Sequence, residues 1–121
     1  AGPWYGENMA SPDDMLNSID RLIALKPPRV CSCHISDINT DPIEIMQEFK
    51  RRIIKRDERI YNFLKKKPAD IHEIADQHLI YRLHPTAFVL FWEKLMVIKH
   101  LERLEKMGLV KPIGNGLYTA A

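Results

Sequence analysis

This sequence predicts a mainly α-helical chain that closes in a small β-hairpin, and three observations carry that expectation. Val97, Leu101, Leu104 and Met107 keep the spacing of one helix face, and Gly108 follows as a residue that ends a helix in the left-handed conformation at little cost. Two short apolar runs, 109–113 and 117–119, flank Gly114-Asn115-Gly116, a turn signal between strands. Upstream, proline-marked and acid-marked helix starts recur at Ser11-Pro12, Asp41-Pro42 and Asp70. Long helix, short helix, long helix and hairpin, in that order from residue 41, is the order of a winged helix.

Each element has its own local reason. Ser11-Pro12-Asp13-Asp14 combines a hydroxyl N-cap, proline at the first helical position and acids where the helix dipole favours them. The helix is expected from 12 to about 26, with Met15, Leu16, Ile19, Leu22, Ile23 and Leu25 as one buried face, until Pro27-Pro28 stops it. Residues 29–34 read as a short strand, Val30, Ser32 and His34 on one face and Cys31 and Cys33 on the other. No strand partner stands nearby in sequence, so its partners are expected upstream in a longer protein. Asp41-Pro42-Ile43-Glu44 starts a long helix by N-cap and capping-box logic. Its apolar stripe of Ile43, Met46, Phe49, Ile53, Ile54, Ile60, Tyr61 and Leu64 holds until Lys65-Lys66-Lys67-Pro68. Asp70 with Glu73 caps a short helix, and His84-Pro85-Thr86 opens the last long one, which ends near Met107.

Composition bounds the class. A chain of 121 residues makes one domain or two small ones, and a net charge of +2 lacks the strong basic excess of a dedicated nucleic-acid binder. The longest apolar stretch, 87–92, runs into Glu93-Lys94, and the N-terminus has neither the basic start nor the apolar core of a signal peptide. A cytoplasmic protein with no membrane partner is the expectation. Cys31 and Cys33, one residue apart, cannot easily bridge each other and read as reduced, buried strand thiols. Ala1 rather than methionine opens the chain, so it is expected to be a segment of a longer protein.

A helix with Asn17-Ser18-Ile19-Asp20-Arg21-Leu22 is followed by a strand ending in His34, then by a capped helix with Arg56, Arg59, Ile60 and Leu64, and finally by His100-Leu101 with Leu104. In order and spacing this resembles the C-terminal part of metallo-β-lactamase-fold hydrolases, in the branch that carries an appended winged helix. The resemblance implies that residues 1–40 are the C-terminal remnant of an αββα catalytic domain, contributing a helix and a strand from its edge. It implies equally that 41–121 are a winged-helix domain. His34 takes the position of the family's last metal-ligand histidine, and the intact parent would use two metal ions, usually zinc, to activate a water against an ester, thioester, amide or phosphoester. The family's glycine after that histidine is Ile35 here, and its histidine-x-histidine-x-aspartate-histidine motif is absent from these residues. The expectation is therefore a non-catalytic piece, inactive and without a cofactor of its own. Its partners would be the upstream catalytic domain and a second copy, with the winged helix bordering the active-site mouth.

The residues themselves propose little catalysis. Zinc chemistry needs about three protein ligands and an open position for water, which His34 alone does not supply. Strand alternation also sets Cys31 and Cys33 away from His34. His72, His78, His84 and His100 lie on different elements with no nucleophile at suggestive spacing, and read as structural. Glu48, Asp57, Glu58 and Glu73 read as solvated ion-pair partners on helices. The basic run is the richer signal: Lys50, Arg51, Arg52, Lys55, Arg56, Arg59 and lysines 65–67 make up half of the eighteen lysines and arginines. Lys50, Arg51, Lys55, Arg56 and Arg59 would contact phosphates in the alternative reading, a winged-helix DNA-binding transcriptional regulator whose wing is 111–118. A packing role is favoured over it, because the last helix carries Phe88, Val89, Leu90, Phe91, Trp92, Leu95 and Met96 where a groove-reading helix is polar. Phe88, Phe91 and Trp92 are the expected contact aromatics toward the catalytic domain or a second subunit.

Overall fold

The computed structural model describes residues 2–33, 36–38 and 40–121. Four helices, α1 (Pro12–Ala24), α2 (Pro42–Lys66), α3 (Ile71–Ala75) and α4 (Ala87–Lys106), precede the strands β1 (Val110–Gly114) and β2 (Leu117–Ala120). Every helix opens on a side-chain cap: Ser11 accepts from the Asp14 N–H, Asp41 from Glu44, Asp70 from Glu73 and Thr86 from Val89. α4 stops where Gly108 takes a φ of +77°, and the hairpin turns on Asn115 and Gly116, at φ 55° and 74°. β1 and β2 pair antiparallel, Val110 opposite Ala120 and Lys111 opposite Thr119. Ala69 adds a bridge outside the hairpin: its N–H donates to the Tyr118 carbonyl at 3.0 Å and Tyr118 returns the bond at 2.8 Å. That exchange fastens the hairpin to the connection between α2 and α3.

Apolar side chains gather in two clusters along the α2–α4 contact. One joins Ile60, Leu64, Ala69, Ile74, Val97, Leu101, Leu104 and Val110, the inner faces of α2, α3, α4 and β1. The other joins Ile53 of α2 and Met96 of α4 with Met46, Ile19 of α1 and Tyr5 of the N-terminal segment. Burial of these side chains is the main favourable contribution to the fold.

Three expectations are corrected. α1 ends at Ala24: Lys26, just past the Leu25 cap, takes the left-handed φ of 50° common at that position, and Pro27 follows, where the helix cannot continue. Its face is narrower than expected: Ile19 is buried and Met15, Leu16 and Ile23 pack around it, but Leu25 is 75% exposed and Leu22 lies outside the contact. Among the described residues, 29–33 form no strand beyond a bridge position at Val30, and Cys31 and Cys33 are free and exposed rather than buried. Period-two alternation alone does not make a strand without neighbours to pair with. His34, the metal-ligand candidate, lies outside the described residues.

Candidate functional site

Between the two apolar clusters runs a buried polar seam. His100 of α4 places Nδ1 2.6 Å from Asp57 Oδ1 on α2 and Nε2 2.6 Å from the Tyr5 hydroxyl. Arg103 donates to the second Asp57 oxygen at 3.0 Å and forms an ion pair with Asp13 of α1 at 2.9 Å. Arg56 donates to the Tyr5 oxygen at 3.0 Å and to the Pro3 carbonyl at 2.8 Å. Burial holds the His100 pKa below its ordinary 6.5 despite the opposing pull of Asp57, and it pushes Tyr5 up to about 12. One proton arrangement satisfies the whole chain: Tyr5 O–H donates to Nε2 of a neutral imidazole, whose Nδ1–H donates to ionised Asp57. A tyrosine–histidine–aspartate chain has the form of a proton relay. Tyr5 and His100 have no exposed surface, however, so the seam meets no substrate and serves to tie the N-terminal segment to α2 and α4.

Next to the seam, with Arg56 shared between them, basic side chains of α2 make an open site. Arg52, Lys55, Arg56 and Arg59, at the i, i+3, i+4, i+7 spacing of one face, line a cavity of about 490 Å³ together with Glu48, His78 and Arg82. Two further walls are pinned by polar contacts. Glu93 of α4, fully buried, accepts the N–H groups of Ile80 (3.1 Å) and Tyr81 (3.0 Å), and burial raises its carboxyl above the usual 4.5. Arg59 donates to the Leu79 carbonyl at 2.9 Å, which fixes the connection that carries Arg82. The N-terminal wall is held by Arg56 on Pro3 and by Lys99, which donates to the Asn8 carbonyl at 3.1 Å.

The basic residues singled out from sequence are therefore divided. Lys55, Arg56 and Arg59 share the cleft, with Arg56 8% exposed and mostly committed to the seam. Lys50 is paired with Asp20 of α1, and Arg51 bridges Glu44 (2.6 Å) and Glu48 (2.9 Å). Phe88 and Phe91 are 72% and 55% exposed, while Trp92 meets Trp4 edge to face at 6.3 Å. His78 and His84 stack on each other at 3.9 Å. Asp57 is corrected from solvated to buried, and Arg82, Tyr5 and Glu93 were not singled out at all. A signal existed for three of the buried groups: Asp57, Glu93 and His100 each stand inside an apolar stripe, where a polar residue needs a partner.

Among the described residues no three His, Cys, Asp or Glu are grouped so as to hold a metal ion. No helix among the described residues is long and apolar enough to cross a membrane. No protein-family model matches the chain, and no curated protein matches it either.

Proposed function

We propose that this chain is the non-catalytic C-terminal part of a metal-dependent hydrolase of the metallo-β-lactamase superfamily, a winged helix whose work is packing. The observation that carries the reading is the second apolar cluster. The N-terminal segment and α1 add Tyr5 and Ile19 to the α2–α4 face, an addition that a free-standing DNA-binding winged helix does not need. The Ala69 bridge onto the hairpin supports the winged-helix order, and α4, contacted by α1, α2, α3 and β1, is a packing helix in this reading. Exposed Leu25, Phe88 and Phe91 support a covering partner, either the upstream catalytic domain or a second copy. The transcription-regulator reading is the weaker one, because Lys50 and Arg51 are engaged by carboxylates and Lys111 is the single cation of the wing.

The test compares this chain with the longest form that its gene encodes. Zinc at about two ions per chain and hydrolysis of a model ester by the longer form alone would bear the proposal out. A longer form that binds no zinc, or a gene with no coding sequence upstream, would overturn it.

A further inference from the structure

Two depressions of the surface meet along Gly2 and Tyr81. One is the cationic cleft; the other, of about 390 Å³, is lined by Gly2, Trp4, Tyr81 and Trp92. Both tryptophans of the chain are therefore in one place. Gly6 allows this, since a Cβ there would lie 2.5 Å from the Trp4 ring and 3.1 Å from the Leu95 Cβ. Trp4 and Trp92 cross at 69°, and Trp92 keeps 44% of its surface exposed beside the cleft.

We propose that the joined depressions bind a nucleoside polyphosphate, its phosphates in the cationic cleft and its base against Trp4, Tyr81 and Trp92. Phosphate suits the cleft because guanidinium groups match its oxygens in bidentate geometry and remain charged at every working pH. Among the described residues Lys55 and Arg82 have no polar partner. Glu48 is the one carboxylate in the lining, and it already pairs with Arg51 and Arg52. Aromatic faces beside phosphate-binding cations accept any base by stacking. Cavities of about this size hold small molecules rather than chains. A polynucleotide would need its positive track continued past the cleft, and the neighbouring Lys50 and Arg51 are neutralised by Asp20, Glu44 and Glu48. This site goes beyond the hydrolase reading and stands or falls without it.

The two tryptophans make the test direct, because every intrinsic tryptophan signal comes from the site. ATP should quench the emission saturably and less tightly as salt rises, and inorganic tripolyphosphate should compete with it. Replacing the two cleft cations that have no polar partner among the described residues, Lys55→Ala with Arg82→Ala, should weaken ATP by about tenfold or more. Lys106→Ala, a cation outside the cleft, should leave binding unchanged; circular dichroism confirms that the variants fold. No saturable quench by ATP, equal affinity in the double variant, or binding of a short single-stranded oligonucleotide without binding of ATP would each overturn the proposal.

Discussion

Asp57 and Arg59 stand two residues apart on α2 and meet opposite fates. Asp57 faces inward, 6% exposed, with both oxygens taken by His100 and Arg103. Arg59 faces the cleft, where arginines and a lysine outnumber the single carboxylate. The difference teaches what each polar face contributes. In the seam the charges of Arg56 and Asp57 are desolvated and must be matched, so their loss is felt as instability. In the cleft Lys55 and Arg82 stay hydrated, cost little to keep, and remain available to a ligand.

The contrast breaks most sharply at Asp57. Asp57→Ala leaves the buried His100 N–H without an acceptor and Arg103 with Asp13 as its remaining carboxylate, and should cost about 3–5 kcal/mol in urea unfolding. A cost below about 1 kcal/mol would mean that water reaches the seam. Tyr5→Phe keeps the ring and removes the hydroxyl, orphaning Nε2 of His100 and one Arg56 bond; the expected loss is about 1–3 kcal/mol.

Acid sharpens the comparison further. His100 has a folded pKa below 6.5, so the unfolded chain takes up its proton first. Its contribution to stability is complete above 6.5 and is lost as pH falls from there through the folded value. Glu93, whose carboxyl is raised above 4.5, acts in the opposite sense, favouring the folded state more at the acid end. Subtracting the urea midpoints of His100→Gln from those of the intact chain across this range isolates the histidine. A difference that does not shrink on acidification would contradict the neutral imidazole assigned to the seam. The smallest effect is expected in the cleft, where Lys55→Ala with Arg82→Ala should change stability by no more than about 0.5 kcal/mol.

Most of the architecture was legible in the sequence, because it rests on local chemistry. Ser11, Asp41, Asp70 and Thr86 cap the helices that their side chains announce, and Gly108 ends α4. Residues 29–33, whose expected partners lie upstream, show no strand beyond the bridge position at Val30 among the described residues, since a strand is a property of its partner as much as of its own alternation. The site was only half legible. Spacing put Lys55, Arg56 and Arg59 together, but separating them from Lys50 and Arg51 took the positions of Asp20 on α1 and of Arg82 on a connection that Glu93 pins. Tyr5 and His100 are 95 residues apart, and no local pattern brings them within a hydrogen bond.

The claim that the inner charges hold the fold while the outer ones hold a ligand is tested most directly by the thermal midpoint of the intact chain and of the Lys55→Ala, Arg82→Ala double variant, each with and without saturating ATP. Ligand that binds only the folded state adds about 2.7 kcal/mol of stability at a hundred times its Kd. The account predicts equal midpoints without ATP, a clear rise for the intact chain with it, and little or none for the variant. Equal rises in both, or a variant already destabilised without ATP, would contradict it.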